Sequence, residues 1–145
     1  MRSIKSYQLL MVKDSSFKAE STQVSEPSAV ATILKSYLHG REREHFVVLA
    51  VDTRNKVIGI HTVSIGSLNS SIVHPREVYK FAILANASAV IFGHNHPSGE
   101  TTPSPEDIDI TRKLVDAGWI LGIDVLDHLI VSDNDYHSMK SHGQM

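Results

Sequence analysis

Cysteine is absent from this chain of 145 residues. The absence excludes a disulfide framework and every metal site built on thiolates, so histidine and carboxylate side chains are the strong metal ligands that remain. It also excludes the zinc-dependent nucleobase deaminases, which bind their metal through a Pro-Cys-x-x-Cys segment. Because a chain without cysteine suits a reducing compartment, we expect a cytoplasmic protein.

A basic excess and a long apolar run are missing as well. The chain has 14 Lys and Arg against 16 Asp and Glu, a formal net charge of −2 with neutral histidines. A general nucleic-acid binder usually shows a strong basic excess, so the composition gives no support to one. No apolar run approaches the roughly 18 residues that span a bilayer, and residues 1–5 do not lead into the apolar segment of a signal peptide. We therefore expect no membrane association.

The remaining composition is that of an ordinary globular protein. Hydrophobic residues make up 41% and charged residues 21%, and the length suits one domain. We expect residues 1–145 to form a single domain, with residues 1–25 as an N-terminal extension. Residues 14–27 are polar and typical of a loop, and residues 4–12 before them form a candidate strand.

Apolar periodicity predicts an alternation of helices and strands along the rest of the chain. One helix begins after Ser25, with Pro27 in its first turn, and ends at Gly40. In chain order we then predict strands at residues 45–51 and 56–65, a helix from Pro75, a strand at 88–93, a helix at 105–117 and a final strand at 123–131. This order indicates an α/β fold with a mixed sheet flanked by helices.

A dense group of candidate metal ligands lies in the segment HNHPSGETTPSPED at residues 94–107. In an extended segment, residues i and i+2 project to the same side, so His94 and His96 can reach one common point. A carboxylate at the start of the following helix, such as Asp107, can point back across the loop towards them. Three protein ligands with one position left for water form the pattern of a catalytic zinc site.

The surroundings of the two histidines favour a metal site over a pair of surface residues. The chain has nine histidines, so one alone means little. However, His94 and His96 follow the carboxyl end of a predicted strand, where open α/β sheets bind their ligands. Gly93 lets the backbone bend there. Three of the five prolines in the chain stiffen the loop after the histidines, namely Pro97, Pro103 and Pro105.

The Ser-Pro-Glu-Asp segment at residues 104–107 also has a purely structural interpretation. It is a good helix start, with Ser104 as the N-cap and Asp107 three residues later. For Asp107 a role in the cap and a role in metal binding are compatible. For Ser104 they compete, because a hydroxyl engaged with a backbone N–H is less free to bind substrate.

The spacing His-x-His-x7-Ser-x2-Asp resembles the JAMM metal motif of JAB/MPN domains, whose best-known members remove ubiquitin-like proteins. The flanking sequence is more similar still to the RadC-like branch, over roughly residues 26–143. The matching segments are HPREV at 74–78, NASAVIFGHNHPSG at 86–99, PSPEDIDIT at 103–111 and LDHLIV at 126–131. The resemblance implies a cytidine-deaminase-like α/β fold that binds Zn²⁺.

Carried over to this chain, the resemblance makes His94, His96 and Asp107 the zinc ligands. It makes Ser104 a group that orients the metal-bound water or stabilises the oxyanion. The family also has an upstream glutamate as general base, just before a strand. Glu44 occupies that place, with Glu42 as the competitor. The implied activity is a metallopeptidase or isopeptidase that cleaves an amide bond of a peptide or protein with a zinc-activated water.

Other interpretations stay open beside this one. Full-length RadC-like proteins carry a DNA-associated helix-hairpin-helix segment, which residues 1–25 do not resemble, so DNA as a partner follows from family association only. A non-catalytic DNA-repair accessory protein is the alternative function, and salt-sensitive DNA binding would be its signature. His74 and His128 are candidates for a supporting or a core position. Asp127 is a candidate to orient a ligand imidazole, or to form a buried pair with His128.

Overall fold

The computed structural model describes residues 1–67 and 73–145, and within them five strands form one mixed sheet with three helices. The sheet order is β2-β1-β3-β4-β5, in which β3 and β4 are parallel and the other neighbours are antiparallel. The elements are α1 (Pro27–Leu38), β1 (His45–Val51), β2 (Val57–Ile65), α2 (Pro75–Leu84), β3 (Ala89–Asn95), α3 (Pro105–Leu121), β4 (Asp124–Val131) and β5 (Tyr136–Ser138). The predicted α/β fold with a mixed sheet is confirmed.

The two central strands, β1 and β3, are buried along their whole length because helices cover both faces of the sheet. Alternate side chains of each strand therefore enter two separate apolar clusters. One cluster lies under α1 and contains Leu34, Leu49 and Ile91. The other lies under α2 and α3 and contains Phe46 and Phe92. The second face is the one that carries the candidate metal site.

Gly93 has a different role from the one expected. It lies inside β3 instead of ending it, since the strand continues to Asn95. A Cβ atom at Gly93 would lie 2.6 Å from Cδ1 of Leu34, so the glycine allows α1 to approach the strand closely. His94 is consequently held within a paired, buried strand rather than at the start of a loop.

Two other sequence predictions are corrected. Residues 4–12 form no strand and are exposed, because they have no neighbouring strand to pair with their backbone groups. β4 is followed by the short strand β5, which is too short to show a periodicity of its own. Among the described residues, no helix has both the length and the apolar character needed to cross a membrane.

Candidate metal centre

Three side chains converge where the end of β3 faces the first turn of α3. His94 is the last but one residue of β3, His96 follows the strand, and Asp107 is the third residue of the helix. The two Nε2 atoms are 2.9 Å apart, and Oδ2 of Asp107 lies 3.5 Å from that of His94 and 3.3 Å from that of His96. The prediction that these three residues meet is confirmed, and they form a group that could bind a metal ion.

The spacing of these three atoms fits a zinc ion. Tetrahedral zinc with bonds of about 2.0–2.1 Å separates its ligand atoms by about 3.3 Å, close to the three distances observed here. His94, His96 and Asp107 are therefore spaced as residues that would hold a zinc ion.

A hydrogen bond on the side of the His96 ring away from the centre shows which of its two nitrogens carries the proton. Nδ1 of His96 lies 2.6 Å from the backbone carbonyl of Glu100. A carbonyl can only accept, so Nδ1 carries a proton and Nε2 of the neutral ring presents a lone pair to the centre. That lone pair faces Nε2 of His94 and the Asp107 carboxylate. Acceptor atoms this close to one another need either a proton or a metal ion between them.

Burial and neighbouring charges shift the pKa values of the three residues in different directions. Burial lowers the pKa of His94, although Asp107 opposes the shift. The hydrogen bond with Asp107 raises the pKa of His96. Burial works against ionisation of Asp107, but its contacts with His94 and His96 prevail and hold its pKa well below the ordinary range. These shifts favour an ionised Asp107 and a neutral His94, and of the two histidines they favour protonation of His96.

Ser104 caps α3 as its sequence predicts. Its Oγ accepts a hydrogen bond from the backbone N–H of Asp107 at 3.0 Å, and its own N–H donates to Oδ2 of Asp107 at 2.8 Å. The expected competition between capping and substrate binding is weaker than predicted. In the cap the hydroxyl acts as an acceptor, so its hydrogen is still available for another partner.

Glu44 lies directly before β1 and is half-buried. Asn95 holds the chain on both sides of it: Oδ1 accepts from the backbone N–H of His45 at 2.7 Å, and Nδ2 donates to the carbonyl of Arg43 at 3.0 Å. The carbonyl of Glu44 itself accepts from the N–H of Gly66 at 2.7 Å. The backbone that carries this glutamate is therefore fixed to the strand that carries the histidines.

The charge of Glu44 acts on the centre. After the larger contribution of Asp107, the negative charge of Glu44 also raises the pKa of both His94 and His96. Glu42, the competing candidate, is exposed and lines a groove of about 490 Å³ that runs past His96. The other walls of this groove include Leu38, Arg41, Asp133 and Asp135. Glu44 therefore acts electrostatically on the two histidines, whereas Glu42 lines the adjoining groove.

Asp127 does not reach a ligand imidazole, so that expectation is wrong. Its carboxylate instead accepts from the hydroxyl of Ser138 at 2.6 Å and from the backbone N–H groups of His128 and Lys140, which joins β4 to the chain around β5. The side chain that contacts a candidate ligand is His128. Its Nε2 lies 2.7 Å from Nδ1 of His94, and burial lowers its pKa well below the ordinary value.

Sequence reasoning left the role of His128 open and missed Thr111 and Asn95. Thr111 lies four residues after Asp107, a spacing that puts both on one helix face, and its hydroxyl is 2.6 Å from Nδ1 of His128. A polar residue at that helical spacing from a ligand was the available signal. His74 has no place at the centre: it caps α2 by accepting from the backbone N–H of Arg76 at 3.0 Å.

Comparison with known families agrees with this geometry. A family model described as "RadC-like JAB domain" matches residues 24–144, which is most of the chain. The chain belongs to the RadC-like JAB domain family. All the candidate site residues of this RadC-like JAB domain fall inside the match, and residues 1–23 fall outside it.

Several curated relatives are similar over most of the chain. A UPF0758 protein of Desulfitobacterium hafniense is 52% identical over 120 residues, which cover 83% of this RadC-like chain and 53% of the relative. A UPF0758 protein of Caldanaerobacter subterraneus is 50% identical over 128 residues, or 88% of this chain and 55% of the relative. One from Methanosarcina mazei is 48% identical over 121 residues, or 83% and 53%. The chain spans about half the length of the curated relatives it matches.

Proposed function

We propose that this RadC-like JAB domain is a zinc-dependent hydrolase that cleaves an amide bond in a peptide or protein substrate. The observation that carries the proposal is the convergence of two imidazole nitrogens and a carboxylate oxygen at 2.9–3.5 Å from one another. Two of these residues, His94 and Asp107, are buried, and Glu44 is close enough to influence the pKa of both histidines. Three ligands with a carboxylate beside them suit hydrolysis better than a closed structural site.

Zinc is the metal that this set of ligands favours. Two imidazoles and one carboxylate are borderline donors of the kind found in hydrolytic zinc sites, whereas magnesium and calcium prefer oxygen ligands alone. When bound, zinc would lower the pKa of a coordinated water from about 15.7 towards 7 and polarise the substrate carbonyl. His94, His96 and Asp107 would hold the ion.

Glu44 and Ser104 supply the remaining chemistry of the proposal. Glu44 would take a proton from the attacking water and deliver it to the leaving amine, a step typically worth about 10²- to 10⁴-fold in rate. The hydroxyl hydrogen of Ser104 would be directed at the oxygen on which negative charge develops. The groove beside His96 is open at the surface and would receive the substrate chain on one side of the bond that is cleaved.

The test separates metal binding from turnover. The purified protein is saturated with zinc, freed of excess metal and analysed by elemental mass spectrometry, and turnover is followed with a library of quenched fluorescent peptides. We expect about one zinc per chain, a value that His96→Ala should abolish. Glu44→Gln should keep the zinc and lower turnover by about 10²- to 10⁴-fold.

Glu42→Gln is the matched control, since it makes the same change two residues away on an exposed side chain. It should leave zinc content near the wild-type value and lower turnover far less than Glu44→Gln does, because Glu42 lines the groove and not the metal centre. A folded wild-type protein that retains no zinc would overturn the metal site. Loss of turnover in Glu42→Gln but not in Glu44→Gln would show that the base has been assigned to the wrong glutamate.

A further inference from the structure

We propose that His128 and Thr111 are positioning residues that select the metal-binding tautomer of His94 through a row of hydrogen bonds ending on the backbone of α3. The proposal rests on the metal centre of the proposed function. Two contacts between buried polar atoms form the row. Nδ1 of His94 lies 2.7 Å from Nε2 of His128, and Nδ1 of His128 lies 2.6 Å from Oγ1 of Thr111. All three side chains are 0% exposed, so no water competes for these bonds.

The direction of the row is set at the Thr111 end. Oγ1 of Thr111 lies 2.6 Å from the backbone carbonyl of Asp107 and 3.7 Å from the sulfur of Met139. Both neighbours can only accept, and two oxygen atoms 2.6 Å apart repel each other unless a proton lies between them. The hydroxyl therefore donates to the carbonyl, and Oγ1 has a lone pair left for Nδ1 of His128.

The two histidines follow from that direction. Nδ1 of His128 must carry a proton in order to donate to Thr111, so Nε2 of the neutral ring is an acceptor. Nδ1 of His94 then donates to it, which leaves Nε2 of His94 unprotonated and facing His96 and Asp107. A neutral imidazole binds metal through its unprotonated nitrogen, and the hydrogen bond on its other nitrogen decides which one that is.

The packing around His128 holds its ring in place for this task. The β3–β4 register pairs it with Phe92, two residues before His94 on the same face of the sheet. The rings of Phe46 and Phe92 meet the His128 ring edge to face, at centroid distances of 5.5 and 6.0 Å. Within residues 1–67 and 73–145, the ring nitrogens of His128 have no hydrogen-bond partner other than His94 and Thr111, so the ring depends on these two residues.

The row also links two of the candidate ligands. It begins on His94 in β3 and ends on the carbonyl of Asp107, whose carboxylate lies at the same centre. The first turn of α3 therefore supplies Asp107 as one candidate ligand. Through His128 in β4, it also controls which nitrogen of His94 carries a proton. Removal of the Thr111 hydroxyl should free His128 to move its proton to Nε2. His94 would then accept at Nδ1 and carry its own proton on Nε2, the atom needed for the metal.

The test compares Thr111→Val, which removes the hydroxyl with little change in shape, with Thr111→Ser, which keeps it. Zinc affinity is measured by competition with a chromogenic chelator, and the histidine tautomers of the metal-free protein by ¹H–¹⁵N correlation NMR at neutral pH. We expect Thr111→Val to weaken zinc binding by about 10- to 100-fold, the range seen when partners of metal ligands are removed, and Thr111→Ser to recover most of it. Wild-type His94 and His128 should both be protonated on Nδ1, and Thr111→Val should shift His128 to Nε2.

Thr32→Val is the matched control. The hydroxyl of Thr32 also donates to a carbonyl four residues earlier in a helix, that of Ser28 at 3.0 Å, but it lies on the exposed side of α1. Its loss should leave zinc affinity unchanged.

Two results would overturn the proposal: wild-type His128 protonated on Nε2, or zinc affinity in folded Thr111→Val equal to that of the wild type. The NMR measurement on the wild type tests the row even if Thr111→Val does not fold. A wild-type protein that binds no zinc would instead refute the proposed function, and the tautomers of the metal-free protein would still decide whether the row exists.

Discussion

The side-chain oxygen of Asn95 accepts a hydrogen bond from the backbone N–H of His45 at 2.7 Å, across the β1–β3 pair. The amide nitrogen of the same side chain donates to the carbonyl of Arg43, so Glu44 lies between two anchored neighbours. Asn95 itself separates the two histidines of the candidate centre. One strand end thus supplies two candidate ligands and, between them, the residue that fixes the candidate base.

Replacement of Asn95 should therefore affect turnover more than metal binding. Asn95→Ala leaves the N–H of His45 without its partner and frees the chain around Glu44. We expect turnover to fall by about 10- to 100-fold, since small displacements of a catalytic group are that costly, while zinc affinity changes by less than about threefold. Steady-state kinetics and chelator competition measure the two effects. Asn95→Asp keeps the acceptor and should lose less, and equal losses of zinc affinity and turnover would contradict this role.

Asp107→Asn tests the charge at the centre with almost no change in shape. The amide oxygen can still accept the N–H of Ser104, so α3 should keep its cap, but the negative charge that a metal ion requires is gone. We expect zinc affinity to fall by more than the roughly 100-fold typical of lost outer partners. Calorimetric titration with zinc measures it. Asp109→Asn, an exposed residue of the same helix, is the control, and equal affinities in the two variants would contradict the assignment of Asp107 as a ligand.

The sequence specified the candidate ligands because their spacing is local. His94 and His96 are two residues apart in a strand, and Asp107 starts the next helix, so periodicity and capping rules suffice to bring them together. The α/β class followed in the same way from the alternation of periodic segments. The prediction of a strand at residues 4–12 is wrong because a strand also needs a neighbour, which local composition does not supply.

The sequence did not predict the residues that support the centre, because their contacts depend on how distant strands pair. The contact between His94 and His128 depends on the parallel register of β3 and β4, which joins residues 34 positions apart. The hydrogen bonds between Asn95 and the chain around Glu44 depend on the antiparallel register of β1 and β3. Register is a property of the assembled sheet, set by packing on both faces, and no single segment contains it.

Acid should destabilise the metal-free protein at a pH where its carboxylates are still ionised. Burial lowers the pKa of His94 and His128 below 6.5, so the unfolded chain binds protons that the folded chain does not. Stability should then fall as the pH drops below about 6.5, with a slope of up to about 1.4 kcal/mol per pH unit for each group. His96 acts in the opposite sense: its raised pKa adds stability below 6.5, which is lost as the pH rises through the folded value.

Urea unfolding at several pH values measures this dependence. His128→Gln removes one of the two buried groups and should reduce the slope below pH 6.5, whatever its effect on total stability. If His128→Gln kept the full slope, His128 would have to be protonated in the folded protein.

The close approach of α1 to β3 should appear as an energetic coupling between Gly93 and Leu34. Gly93→Ala places a Cβ 2.6 Å from Cδ1 of a fully buried leucine, and such overpacking typically costs about 1–3 kcal/mol. Leu34→Ala alone leaves a cavity, which typically costs about 2–5 kcal/mol. In the double variant the new methyl group enters the space left by the leucine, so the two costs should not add. Urea unfolding of all four proteins measures the coupling, and strictly additive losses would mean that the helix moves away from the strand instead of holding its place against Gly93.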